Sequence, residues 1–176
     1  MTSNLSPFSH DLRTCLLSRS GTLATHLFVV LVLHQSFAQN NKLRFKCAAA
    51  EALIGPLRMA TLNDVATIKD FTIQQRARHV VLENARVAQF IDSLSQNDYA
   101  AAGRIMNASH QSLAEDFATS TKQMNDAVAA ACATPGVLGA RMTGGGFGGC
   151  IVLLCAPGTE VPGWRVQPVG AVHHVN

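Results

Sequence analysis

The stretch RMTGGGFGGC, residues 141–150, places five glycines in the six positions from Gly144 to Gly149. Glycine gives up more backbone freedom on folding than any other residue. Such a run therefore belongs where chains pass close together, where an anion is held, or in a loose hairpin turn. Its flanks narrow the choice. Val137–Thr143 reads as a strand, and Cys150–Cys155, CIVLLC, is an apolar, β-branched run of strand length closed by Pro157-Gly158. The unit is strand, glycine loop, strand.

Gly144, Gly146 and Gly149 formally match the dinucleotide pattern G-x-G-x-x-G. That pattern works only when a helix begins in the loop and aims its N-terminus at the pyrophosphate. A strand follows here, so a dinucleotide site is excluded. A Walker-type phosphate loop is excluded too, because no Gly-Lys-Ser/Thr closes the run. Two uses stay open. Successive unhindered N–H groups can form an anion-holding nest, or the loop can pack where any Cβ would clash. Phe147 is its one bulky residue and a candidate anchor.

Helices precede this unit. Lys42–Leu53 is rich in good helix formers and is stopped by Gly55-Pro56. Thr61-Leu62-Asn63-Asp64 reads as a connection or a cap. From Thr72 to Ser93 a stripe of Ile73, Ala77, Val80, Val81, Val87, Phe90 and Ile91, continued by Leu94, predicts a long amphipathic helix. Most of its charges, from Arg76 to Arg86, are expected on a solvated face, with Arg76, Arg78 and Glu83 forming interhelical ion pairs. Gln96-Asn97-Asp98 turns the chain and caps a helix from Tyr99. Ser109–Phe117 either continues that helix or starts another. Ser120-x-x-Gln123 reads as a capping box for a last helix ended by Pro135-Gly136. From Val161 no element is legible.

At 176 residues the chain can bury a core, and 48% apolar with 14% charged residues reads as globular. A net charge of +3, without a basic run interleaved with aromatics, excludes a nucleic-acid binder. Five cysteines, an odd count with no C-x-x-C, exclude a disulfide framework or zinc ribbon and fit a reducing cytoplasm. His173-His174 lacks the Cys, Asp or Glu neighbours of a metal site. Residues 1–40 read as a separate leader. In it the apolar run 27–33, preceded by Arg13 and Arg19 and followed by Ser36-Phe37-Ala38, has the outline of a signal peptide over residues 13–38. The alternatives are a buried strand or a non-native leader. The run is too short to span a membrane as a helix, and no membrane partner is expected.

Four segments together resemble the galactokinases of the GHMP kinase superfamily. GVLGARMTGGGFGGCIVLL, residues 136–154, is similar to their third motif. Gln75-Arg76-Ala77-Arg78-His79 with Glu83-Asn84 and Arg86 resembles the helix RARHV…EN.R. Asn107 to Phe117 resembles the SHxSLRDDF segment, and Lys42–Ala48 the helix YNxRRxxC. They occur in the family's order and cover residues 41–156. Ala114-Glu115 stands where the family usually has Arg-Asp. The link from Asp64 to Arg76 is short, and the family's closing segment is not recognisable after Glu160. The family's opening sugar motif and GLSSSA-type phosphate loop, with the catalytic Asp and charge-stabilising Arg, have no counterpart in residues 1–40.

The resemblance implies the C-terminal domain of a galactokinase, present as a fragment. Its fold is α+β, a ferredoxin-like antiparallel sheet backed by helices, here incomplete. It divides into a leader at 1–40, the domain at 41–156 and an irregular tail at 157–176. The implied reaction transfers a phosphoryl group from ATP, with Mg2+, to the C1 hydroxyl of α-D-galactose, in the cytoplasm unless residues 13–38 act as a signal. Gly144, Gly145, Gly146, Phe147, Gly148 and Gly149 would shape the cleft, with Arg141, Thr143, Ser109 and His110 beside it. No residue is expected to be catalytic or to bind metal. The chain is expected to need the N-terminal kinase domain and to be inactive alone. The alternative is a non-catalytic galactose/ATP sensor or interaction protein of the same family.

Overall fold

A computed structural model describes residues 26–32 and 38–166. Cys15, the signal-like residues before His26 and the pair His173-His174 lie outside them. Among the described residues four strands, β1 (His26–Val32), β2 (Val137–Thr143), β3 (Gly149–Cys155) and β4 (Trp164–Val166), form one antiparallel sheet in the order β2-β3-β1-β4. That is the ferredoxin-like strand order. The second crossover of that fold is missing its helix, because β3 and β4 are joined by Ala156–Gly163 without one. The apolar run in the presumed leader is thus a strand, β1, pairing Leu31 with Cys150 and Leu27 with Leu154. The tail is not wholly irregular either. Its three-residue β4 pairs with β1 and is too short to show a period.

Among the described residues five helices lie between β1 and β2: α1 (Ala38–Ile54), α2 (Leu62–Ala66), α3 (Phe71–Ser95), α4 (Tyr99–Glu115) and α5 (Lys122–Cys132). Local chemistry sets their ends. Gly55, at φ 81°, takes the left-handed position after α1. Thr61 and Asp64 make a reciprocal capping box on α2. Asp70 and Asp98 accept from the N–H of Ile73 and Ala101 to start α3 and α4. The α5 cap is Thr121 and not Ser120: Thr121 accepts from Met124 N–H, while Ser120 Oγ bonds Asn125 Oδ1 at 2.6 Å. Ala118, at φ 54°, turns the chain just before, and the residue that leaves this turn extended at the helix start is Thr121.

Burial follows period. On β3, Ile151, Leu153 and Cys155 face a cluster with Ala140, Met142, Leu113, Met124 and Val128. Val152 and Leu154 face the other way, toward Leu94, Ala102 and Met106. A strand buried on both faces reads as a continuous apolar run, as CIVLLC does. A third cluster, Ala50, Leu57, Val65, Ile68 and Ala77, ties α1 and α2 to the first half of α3.

The edge of the sheet at β2 is covered by α4, which approaches backbone to backbone. A Cβ on Gly103 would lie 2.1 Å from Leu138 O, and one on Gly139 2.2 Å from Gly103 O. A bulge between Val137 and Gly139 accompanies this approach. Asn107 Oδ1 accepts from Ala140 N–H at 2.8 Å, and His110 Nδ1 from Met142 N–H at 3.2 Å. Side chains of one helix thereby satisfy donors that an open strand edge leaves unpaired.

Candidate functional site

The glycine loop joins β2 to β3 and divides into two halves. Gly144 and Gly145 are exposed, and among the described residues a Cβ on Gly144 would meet nothing within 4 Å. Gly146, at φ 85°, packs on the turn after α4, where a Cβ would lie 2.7 Å from Thr119 Cβ and 2.9 Å from its carbonyl oxygen. Phe147 is 9% exposed and is itself left-handed, at φ 58°. Its N–H donates to Thr119 O at 2.7 Å. Of the two uses left open by the sequence, close packing is present at Gly146. The leading half is open backbone, and the trailing half is close packing anchored by Phe147.

A partly buried carboxylate lies beside Arg141, the residue three positions before the loop. Glu83, on α3, has only 14% of its side chain exposed. Ser109 Oγ donates to its Oε2 at 2.6 Å, Arg86 lies 2.7 Å from Oε1, and Arg141 lies 3.5 Å from Oε2. Burial pushes the Glu83 carboxyl up, but the hydrogen bonds from Ser109 and Arg86, with the Arg141 charge, outweigh it and hold the group below its ordinary range. Arg86, expected on the solvated face, departs from that expectation, with 17% of its side chain exposed. Glu83 and Arg86 sit where α3 faces α4 and β2, and they are partly buried because they satisfy each other. Glu83 pairs within its own helix and with a strand, so of the predicted interhelical pairs only that of Arg78 with Asp116, the residue capping α4, is present among the described residues, at 3.3 Å. Arg76 instead donates to the Asp116 carbonyl.

A second network fixes the end of α4. Ser112 Oγ donates to Asp116 Oδ2 at 2.9 Å, so the contact of 2.9 Å between Ser112 Oγ and His79 Nδ1 is one in which the ring donates. His79 stacks on Phe117 with ring centroids 4.4 Å apart. Burial drives its imidazole down to about 4, against the opposing charges of Glu83 and Asp116. With Arg76 and Arg78 on Asp116, this network sets the turn that carries Ala118 and Thr119.

The residues singled out in the sequence occupy three places. Gly144, Gly145 and Thr143 are exposed at the mouth of the loop, while Gly146, Phe147, Gly148 and Gly149 are packed into or behind it. Arg141 and Ser109 meet at Glu83. His110 is 7% exposed and holds the Met142 amide. Sequence reasoning missed Thr119 and Ala118, because a turn whose role is to receive another loop has no periodicity. It also missed the depth of Glu83, whose signal was its placement on α3 among residues of the stripe.

Among the described residues no group of three or more His, Cys, Asp or Glu is placed to hold a metal ion. The open backbone of Gly144 and Gly145 fits close approach by a ligand such as a phosphate, which a Cβ would obstruct. Among the described residues no helix is long and apolar enough to cross a membrane.

Comparison with known proteins places these features. Residues 90–162 match the family described as GHMP kinases C terminal. The galactokinase of Exiguobacterium sibiricum is 41% identical over 122 residues, 65% of this chain and 31% of that protein. The human galactokinase is 43% identical over 116 residues, 63% of this chain and 30% of that protein. The crystal structure of Lactococcus lactis galactokinase complexed with galactose superposes with a TM-score of 0.68 at 28% identity, covering 76% of this chain and 38% of that one. The chain spans about a third of the length of these relatives.

Proposed function

From a chain that carries the C-terminal domain of the GHMP kinases and is similar to galactokinases, we infer a part in phosphorylation of a sugar. The reaction is that of ATP with α-D-galactose to give ADP and galactose 1-phosphate, in the cytoplasm. The chain supplies one wall of the cleft and works with an N-terminal kinase domain. It is inactive alone, because no position matches the family's catalytic Asp, its charge-stabilising Arg or its phosphate loop.

Phosphoryl transfer depends on positioning and on stabilising charge, with little covalent chemistry for the protein to do. ATP with Mg2+ supplies the transferred group and its charge compensation. This chain's contribution is shape. Gly144 and Gly145 let a ligand reach the backbone, Phe147 and Gly146 hold the loop on Thr119, and Arg141 is kept beside it by Glu83. The observation that carries the reading is this division of the loop into an open half and an anchored half, in a segment similar to galactokinases.

The test is a coupled assay of the purified chain with galactose and MgATP, alone and with a galactokinase N-terminal domain added in trans. No turnover alone and measurable turnover with that domain are expected. Turnover by the chain alone would overturn the inactivity. Tight calorimetric binding of galactose or nucleotide without turnover in either mixture would point to a sensor instead.

A further inference from the structure

We propose that His110 is a positioning residue of the glycine loop, holding its entry through Met142 while Thr119 holds its exit through Phe147. The inference rests on the reading of this loop as the wall of a cleft. Met142 stands two residues before Gly144, and its N–H is taken by His110 Nδ1 at 3.2 Å. Phe147 N–H is taken by Thr119 O at 2.7 Å. The residues between them, Thr143 to Gly146, are strung between two anchors that come from α4 and the turn that follows it. Arg76 and Arg78 brace that turn from α3 through Asp116.

The chemistry of the ring separates this role from packing. A ring whose Nδ1 accepts carries its hydrogen on Nε2. His110 Nε2 is buried and, among the described residues, has no hydrogen-bond partner. The Asn125 side chain favours the charged ring. A buried donor without a partner is unfavourable. An apolar side chain would fill the same space without that penalty, but it would leave Met142 N–H unpaired at the edge of β2. The imidazole is therefore tied to the Met142 bond. Ala140 provides an internal comparison, because its N–H is held by Asn107 on the same helix, farther from the loop.

The anchor also has a sign with pH. Protonation puts a hydrogen on Nδ1 facing the Met142 N–H, so acid releases the loop's entry. Burial holds the ring below the ordinary imidazole range; the Asn125 amide on α5 opposes this and the Arg141 charge on β2 adds to it.

Amide exchange read by NMR on the full chain tests the proposal, with wild type, His110→Phe and His110→Asn compared. In His110→Phe, Met142 is expected to exchange about tenfold faster and Phe147 at least about threefold faster, with Ala140 unchanged. His110→Asn, whose Oδ1 takes the place of Nδ1, restores both. A folded His110→Phe in which Phe147 keeps its protection would overturn the proposal, as would Ala140 losing protection in step with Met142. Should His110→Phe not fold, the wild type is followed down through the ring's own titration. Protection at Met142 and Phe147 then falls while Ala140 holds; unchanged amides, or all three lost together, count against the clamp. No ligand or turnover enters this measurement, so the kinase reading can fail in its assay while the clamp stands, and the reverse.

Discussion

Replacing Gly103 by Ala sets two physical effects against each other. In a helix interior Ala is favoured over Gly by roughly 1 kcal/mol, and Gly103 lies within α4. On helix propensity alone the variant is stabilised. The fold predicts the opposite. The new Cβ would lie 2.1 Å from Leu138 O, 2.4 Å from Leu138 C and 3.0 Å from Gly139 N, all backbone atoms with no rotamer to yield. The helix must lift off the edge of β2. Lifting stretches the bonds from Ala140 to Asn107 and from Met142 to His110, each worth about 1 kcal/mol net, and adds repacking strain of about 1–3 kcal/mol. After subtraction of the propensity gain the expected loss is about 3 kcal/mol. For a chain of this size that lowers Tm by roughly 6–12 °C. Urea denaturation followed by circular dichroism, with thermal scans alongside, measures it. Gly139→Ala, whose Cβ would lie 2.2 Å from Gly103 O, should show a loss of similar size, and the double variant should lose less than the two separate effects added together. A Gly103→Ala variant as stable as wild type, or more so, would refute the backbone-to-backbone docking of α4.

Other perturbations probe other parts of the molecule. His79 is held at about 4 by burial against an ordinary value of 6.5, so between these pH values the unfolded chain binds a proton that the fold refuses; stability is full above 6.5, falls by about 2 kcal/mol at pH 5 and levels below 4, and urea midpoints that do not move between pH 7 and 5 would contradict this. His110 shifts in the same direction and steepens the loss, and the two rings are separated by NMR titration. Ser109→Ala removes the 2.6 Å donor of Glu83, leaving a partly buried carboxylate short of a partner; a loss of about 1–3 kcal/mol is expected, and one below 0.5 kcal/mol would show Glu83 satisfied without it. Both Gly144→Ala and Gly146→Ala strain a positive φ, by about 1–2 kcal/mol, but only Gly146→Ala also drives a Cβ into Thr119; thermal scans should rank it clearly the less stable, and equal losses would argue against the packed half of the loop.

Much of the architecture is legible in the residues. The Ile73–Leu94 stripe announces α3 because core contact recurs on one helical face, and Ala77 and Leu94 are buried as that stripe requires. CIVLLC declares a strand buried on both faces. The failures share a cause. The α5 cap moved from Ser120 to Thr121 because both residues have the chemistry and only the turn at Ala118 chooses between them. Glu83 was expected in an ion pair between helices, but its actual partners Ser109 and Arg141 lie 26 and 58 positions away and were not legible.

By itself the sequence determined what each segment prefers to be: helices by period and caps, strands by apolar runs, and a glycine loop between two of them. These are properties of neighbours along the chain, and local sterics and solvation decide them. Only the tertiary structure decided which glycines of the loop are open and which are packed, where β1 and β4 enter the sheet, and that α4 lies directly on the edge of β2. Each of those depends on atoms from distant segments meeting within a few ångströms, as Gly103 meets Leu138 and Gly146 meets Thr119. No window of neighbouring residues contains both halves of such a contact.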